Sequence, residues 1–236
     1  MTQPDKTPSR IAGMFDSIAP RYDLLNHVLS AGMDRGWRER AVDALALRPG
    51  DRALDLCTGT ADVAIAMARR VAGSLVVGVD FAGAMLSIGD TKVREAGLET
   101  DICFVRGDAA HIPLADRTCD AAAIAFGIRN VAEPERALAE LSRVLRPGAR
   151  LAILEFGHPR IPGIRTLYGW YFRYLLPLVG RFVSSHRSAY SYLPASVGAF
   201  PPAAEFSRII GAHGFTNVRA VPLTLGIVYL YVAERN

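Results

Sequence analysis

From Asp55 to Asp62 the sequence reads Asp-Leu-Cys-Thr-Gly-Thr-Ala-Asp, a run of small and acidic residues that directly follows the short apolar stretch beginning at Arg52. Small residues at a strand-to-helix turn let the backbone approach a bound ligand, and an acidic residue at the end of the next strand accepts ribose hydroxyls. Asp80 stands in that place, twenty residues beyond Thr60. The combination fits a nucleotide with a free ribose. A dinucleotide fingerprint would need G-x-G-x-x-G, whereas this turn offers only Gly59, and Cys57 and Ala61 leave a pyrophosphate little open backbone.

A carboxylate at Asp55 would repel a pyrophosphate but suits a cationic ligand, such as the amino group and sulfonium of S-adenosylmethionine. Gly107-Asp108-Ala109 adds a polar group where an adenine amino group can bond. Each aspartate alone is as readily a helix N-cap or a turn former. Taken together they outline a cofactor site.

Elements that position these residues follow from the hydrophobic pattern. Trp37, Ala41, Val42 and Leu45 recur at helical spacing, and Arg48-Pro49-Gly50-Asp51 closes that helix. A strand over Arg52 to Cys57 leads through the turn into a helix over Asp62 to Val71. The alternation recurs at Leu75 to Asp80 with Ala84 to Ala96, at Ile102 to Arg106 with a Pro113 loop, at Cys119 to Phe126 with Pro134 to Leu145, and at Arg150 to Phe156. Five repeats predict a parallel α/β sheet covered by helices on both faces. Phe215 to Val221 and Ile227 to Val232, joined by too short a link for a helix, are expected to pair antiparallel at one edge.

The 236 residues, 50% hydrophobic and 21% charged, exclude a disordered chain and suit one domain. A net charge of +4 is too diffuse to indicate nucleic acid. Cys57, Cys103 and Cys119 form no CxxC pair, and His27, His111, His158, His186 and His213 show no His-x-x-x-His spacing, so neither a metal site nor a disulfide framework is expected. The polar N-terminus lacks a signal-peptide core, and no uncharged apolar run reaches the ~18 to 20 residues of a membrane span. These features predict a cytoplasmic protein, soluble or peripheral on the inner face of the cytoplasmic membrane. Residues 1–10 read as a mobile leader, 11–48 as an N-terminal helical lid and 157–204 as an insertion into a single domain.

That insertion has its own chemistry: no Asp or Glu, five arginines and about half of the aromatic residues. Leu167, Trp170, Tyr171, Tyr174, Leu175 and Leu178 form an apolar helical stripe flanked by Arg165, Arg173 and Arg181. It is either a helix packed on the sheet or a basic, aromatic helix that lies on an anionic membrane surface or roofs an apolar pocket.

Three stretches carry a family likeness: Phe15-Asp-Ser-Ile-Ala-Pro-Arg-Tyr-Asp-Leu-Leu-Asn26, continuing through Ser30 to Trp37; Phe126-Gly-Ile-Arg-Asn-Val131; and Arg143-Val-Leu-Arg-Pro-Gly-Ala-Arg-Leu-Ala-Ile-Leu-Glu-Phe156. Tyr192-Leu-Pro-Ala-Ser196, Phe200-Pro201 and Leu223-Thr-Leu-Gly-Ile227 extend it to the end of the chain. The sequence resembles the class I S-adenosylmethionine methyltransferases, and among them the quinone-biosynthesis C-methyltransferases acting on demethylmenaquinol or a ubiquinol precursor. The resemblance implies a Rossmann-like fold, a seven-stranded, mostly parallel sheet with one antiparallel edge strand. It places Asp55, Gly59, Thr60, Asp80, Asp108, Ala109 and Ala125 around the cofactor, Thr60 at its methionine end and Asp108 with Ala109 beside its adenine. Asp34, Ala61 and Ala125 depart from the family's usual His, Gly and Ser.

The implied reaction is attack of a ring carbon of a prenylated hydroquinone on the sulfonium methyl, which requires in-line contact and electron density in the ring. Ionising a ring hydroxyl supplies that density. Lowering a phenol from pKa near 10 by roughly three units asks for about 4 kcal/mol. Arg129, charged at any relevant pH, is the expected catalytic group, stabilising the phenolate or orienting a basic water; the alternative is an ion pair fixing its loop. Asn130 either binds substrate or caps the helix near Pro134. Tyr22 and Asn26 belong to the lid and the substrate side, with a core aromatic the other reading for Tyr22. His111 is a candidate base. Competing functions are methylation of a small amine or hydroxyl, a non-catalytic quinone or lipid carrier, and a dinucleotide oxidoreductase. The choice between menaquinone and ubiquinone precursors leans to demethylmenaquinol, and the oligomeric state stays open, a homodimer included.

Overall fold

The computed structural model describes residues 5–159, 163, 170 and 187–236. Seven strands form one sheet in the order β3-β2-β1-β4-β5-β7-β6. They are β1 (Arg52–Leu56), β2 (Leu75–Asp80), β3 (Ile102–Arg106), β4 (Cys119–Ala125), β5 (Leu145–Phe156), β6 (Phe215–Leu223) and β7 (Val228–Arg235). β3, β2, β1, β4 and β5 pair in parallel, and β7 pairs antiparallel with both β5 and β6. The expected mostly parallel sheet with antiparallel pairing at one edge is therefore present, and its reversed strand is β7, second from that edge. The connections lead from β1 outward in one direction and from β4 in the other, so a crevice opens above the carboxyl ends of these two neighbours.

Helices α1 (Pro8–Ile18), α2 (Tyr22–Leu29), α3 (Met33–Leu45), α4 (Asp62–Arg70), α5 (Gly83–Glu95), α6 (Pro134–Val144), α7 (Arg187–Ala199) and α8 (Ala203–Ala212) surround the sheet. The central strands show why both faces are covered. Leu54, Leu56, Ile124, Leu151 and Ile153 face a core completed by Leu138 and Leu141 of α6 and Phe206 and Ile210 of α8. The alternate residues Ala53, Ala121, Ala123 and Ala152 face Trp37 and Val42 of α3 and Val63, Ala64 and Met67 of α4. Alanines on this second face let α3 and α4 lie close to the sheet. In α6, Pro134 and Glu135 open the first turn, Arg143 lies in the last, and Ala137, Leu138, Leu141 and Val144 make the buried stripe.

The N-terminal region differs from its sequence-based outline in two respects. Helix α1 begins at Pro8, ahead of Ile11, because the Asp5 carboxylate accepts the Thr7 amide and hydroxyl at 3.0 and 2.6 Å and pairs with Arg10 at 2.8 Å. Of the expected lid, α3 is a sheet-packing helix with Trp37, Ala41, Val42 and Leu45 buried. Only α1 and α2 remain above the crevice, where Phe15, Ile18 and Tyr22 pack on Ala82, Met85 and Ile88. The aromatic stripe of the insertion lies outside the described residues apart from Trp170, which is 54% exposed. Among the described residues no helix is long and apolar enough to cross a membrane, and no His, Cys, Asp or Glu cluster could hold a metal.

The turns after β1 and β4 meet at Cys57 and Gly127, where a Cβ added to Gly127 would lie 2.4 Å from that of Cys57. Gly127→Ala is expected to push them apart and destabilise the fold by about 1 to 3 kcal/mol. Gly211→Ala, in α8 with no atom within 4 Å of the new methyl, should instead gain up to about 1 kcal/mol. Denaturant titration of both variants checks the contrast.

Candidate active site

The crevice above β1 and β4 holds a cleft of about 420 Å³, open to solvent, whose lining includes Tyr22, Gly59, Asp80, Met85, Ala125 and Asn130. Its floor is the turn after β1. Cys57, Gly59 and Ala61 all take left-handed backbone with φ of 58°, 55° and 68°, a conformation that costs a non-glycine residue roughly 1 to 2 kcal/mol. Surrounding hydrogen bonds hold it. Thr58 N donates to Val79 O at 3.1 Å, Ala61 N to Thr58 O at 2.9 Å, and Gly59 N to Asp80 Oδ2 at 2.9 Å. Asp55, fully buried beneath, takes the Thr58 hydroxyl at 2.6 Å and the Ala64 amide at 3.0 Å on one oxygen. Ala61 thus adopts a left-handed conformation that a glycine would take without strain.

Burial, opposed by these two hydrogen bonds and reinforced by the nearby charges of Asp80 and Asp62, raises the Asp55 pKa to about 7. Burial likewise raises Asp80, although amides of Ala82, Gly59 and Phe81 bond to it. It also keeps the Cys57 thiol protonated, with four carboxylates adding to the effect. Two desolvated acids at the mouth of β1 and β2 are costly when empty-handed and are relieved by a cation. Asp80 accepts backbone amides on both oxygens, which leaves its remaining acceptor capacity for the ribose. The chemistry of this donor and acceptor set fits the nucleoside and the positively charged end of S-adenosylmethionine.

The roof is attached by side chains from the N-terminal motif. Asp16 of α1 accepts the Ala84 amide at the start of α5 at 3.0 Å. Asp23 of α2 accepts the Thr60 hydroxyl at 2.5 Å and the Lys92 ammonium at 2.7 Å. Lys92 also pairs with Asp62, and Asp62 lies 3.4 Å from Arg38 of α3. Arg38 in turn pairs with buried Asp34, which Ser30 and His27 also contact at 2.9 and 3.3 Å. Thr60 is therefore committed to the roof. Asn26 hydrogen-bonds the Tyr22 hydroxyl one turn earlier, and burial raises that hydroxyl's pKa.

Beyond β4 the chain turns at Phe126, also left-handed with φ 56°, into a 3-10 turn at Ile128–Asn130. Arg129 is 7% exposed and donates Nη1 to Glu155 Oε1 at 2.7 Å and to Phe126 O at 2.5 Å, with its guanidinium 5.3 Å from the Phe156 ring centroid. Glu155, wholly buried, also accepts the Arg129 and Phe156 amides at 3.3 and 2.8 Å. Burial raises the Glu155 pKa and the Arg129 charge opposes that rise. The loop-fixing ion pair weighed in the sequence is present.

The structure thus brings Tyr22, Gly59, Asp80, Ala125 and Asn130 into one cleft, with Asp55 under its floor and Arg129 beside it. Asp108 and Ala109 follow β3 at its flank, Asp108 Oδ1 accepting the Ala110 amide at 2.9 Å and Ala109 being buried. His111 points to Arg136 and Asp34 to Arg38, and neither lines the cleft. Sequence reasoning missed Asp16, Asp23, Lys92 and Glu155. The first two sit inside the N-terminal motif, and Glu155 ends a strand on the cofactor edge, which is the signal that could have found it.

Comparisons with known proteins bear on the family and the fold. The model of the ubiE/COQ5 methyltransferase family matches residues 3–235. The chain is 46% identical over 222 residues to a demethylmenaquinone methyltransferase of Thermus thermophilus, covering 94% of this chain and 100% of that one. It is 49% identical over 223 residues to a ubiquinone/menaquinone biosynthesis C-methyltransferase of Syntrophotalea carbinolica, covering 94% and 93%. A SAM-dependent methyltransferase from Aquifex aeolicus shares the fold with a TM-score of 0.59 at 22% identity, over 84% of this chain and 88% of that one. With a family match over nearly its whole length and an open cleft at the switch point of the sheet, the chain belongs to the ubiE/COQ5 methyltransferase family and is an S-adenosylmethionine-dependent methyltransferase.

Proposed function

We propose that the methyl acceptor is a ring carbon of a prenylated hydroquinone, with demethylmenaquinol converted to menaquinol. The observation that carries this reading is the aromatic and amide lining of the cleft, Phe15, Tyr22, Phe126 and Asn130 sharing it with Asp80 and Gly59. The names of the relatives support it. Relatives named for both ubiquinone and menaquinone biosynthesis keep a ubiquinol precursor as the second reading. Complementing a host that lacks its own enzyme and weighing its quinones decides between them: a methylated naphthoquinone supports the first, a methylated benzoquinone the second.

S-adenosylmethionine supplies, when bound, a methyl group on a positively charged sulfur. Asp80 holds the ribose, the Gly59 backbone gives room for close approach, and Asp55 counters the positive charge from below. Asp108 and Ala109 border the adenine, Ala125 flanks the cofactor and Thr60 fixes the turn to α2. Helices α1 and α2 form a lid that excludes water, Tyr22 and Asn26 facing the acceptor. Arg129 stabilises the ring oxygen as it ionises. A hydrogen bond to a charged donor contributes ~1.5 to 3 kcal/mol, short of the roughly 4 kcal/mol required. The prenyl tail places the work at an anionic membrane surface, with Trp170 among the contacting residues.

Because the Asp55 pKa is raised to about 7 and only its anion attracts the cofactor, affinity for S-adenosylmethionine should rise with pH between 6 and 8. Calorimetry on the parent and on Asp55→Asn, which should lose that dependence, checks the sign. Asp80→Ala should lose two charge-assisted bonds of ~1.5 to 3 kcal/mol each, so binding disappears at ordinary concentrations while the circular dichroism spectrum is kept. Arg129→Leu strands Glu155 and should cost about 3 to 5 kcal/mol of stability. Arg129→Lys should keep cofactor affinity and lose kcat, since an ammonium cannot reproduce the planar donors. Binding to anionic vesicles should weaken with salt without vanishing and fall further in Trp170→Ala, as measured by co-sedimentation.

A further inference from the structure

Three buried polar atoms have no hydrogen-bond partner among the described residues: Arg129 Nε, Asn130 Oδ1 and the Tyr192 hydroxyl. Native interiors carry few such atoms, because an unpaired buried donor or acceptor loses its water without recompense. These three gather in one place. Arg129 and Asn130 are consecutive in the turn after β4, each 7% exposed. Helix α7, which carries Tyr192, packs against that turn and against α1. The Tyr192 hydroxyl is near enough to Arg129 and Glu155 to feel both charges. Asn130 lines the cleft, and its Nδ2 donates to Phe126 O at 3.2 Å, so Oδ1 is the end left to accept.

One N–H donor, one acceptor oxygen and one hydroxyl able to do either make a set that pairs two ring hydroxyls on one flat ring. The sequence motif around Tyr192 had no role in the cofactor site, and nothing in the turn after β1 or in α4 satisfies its hydroxyl. Resting on the hydroquinone reading above, we propose that Tyr192 orients the acceptor, its hydroxyl bonding one ring oxygen while Arg129 and Asn130 hold the other. The acceptor ring would then be gripped at both ends, with the reacting carbon turned to the methyl donor. The specificity follows: a ring with a single hydroxyl leaves one buried group unpaired and binds less well.

The test is Tyr192→Phe, which keeps the ring and deletes the unpaired oxygen. The ligand-free variant should melt at or above the parental temperature, and its Kd for S-adenosylhomocysteine should be unchanged. Its KM for the hydroquinone should rise about tenfold, the loss of one buried hydrogen bond. One of the two mono-O-methyl ethers of that hydroquinone should no longer distinguish variant from parent. Parental KM for the full hydroquinone would overturn the assignment and leave these atoms to water. A lowered melting temperature together with weakened cofactor binding would also overturn it, making Tyr192 a packing residue. If the parent itself methylates no hydroquinone, the acceptor reading falls and this inference with it; parental turnover with an unaltered variant removes the inference alone.

Discussion

Cys57 against Gly127 is the contact on which the site depends. The turns leaving β1 and β4 converge there with no room for a side chain on the second, and both run through left-handed backbone. Neighbouring parallel strands whose connections diverge leave a crevice at their carboxyl ends. The depth of that crevice is set by how closely these turns approach. Two parts of its lining hang from these turns, Cys57 and Gly59 from the first and Phe126, Gly127 and Asn130 from the second, and β2, α5 and the N-terminal helices complete it.

Strain of this kind persists where the surroundings over-determine it. Around the first turn the surroundings are carboxylates. Asp55 and Asp80 are both buried, the first accepting a hydroxyl and an amide and the second backbone amides. Around the second turn an arginine and a glutamate neutralise each other in the interior. A buried pair of that sort adds little net stability but sets geometry. The two halves of the cleft are thus electrostatically unlike, one bordered by buried carboxylates and the other by a neutralised arginine–glutamate pair.

The N-terminal motif joins the halves. Its apolar residues Phe15, Ile18 and Tyr22 pack on α5, while Asp16 and Asp23 bond the start of α5 and the turn after β1. A segment docked through a few exchangeable polar contacts opens at lower cost than one buried in a core. Helix α3, next in the chain, has Trp37, Val42 and Leu45 in the main core and stays with the sheet.

Local pattern determined the strands, the helices between them and the antiparallel pair near the C-terminus, because alternation of apolar runs with amphipathic stretches is a property of neighbours in the chain. It also determined that Asp55, Gly59 and Asp80 share an edge, since strand ends in a parallel sheet lie side by side. The partner of Arg129 was not legible: Glu155 lies 26 residues away, and only the pairing of β4 with β5 brings the two together. Nor was the commitment of Thr60 to Asp23, 37 residues earlier, or the approach of Tyr192 to the same pair. Charge and hydroxyl chemistry can be read from residue type, but which partner satisfies a buried group is decided by strand order and helix packing, because burial is a property of the assembled fold.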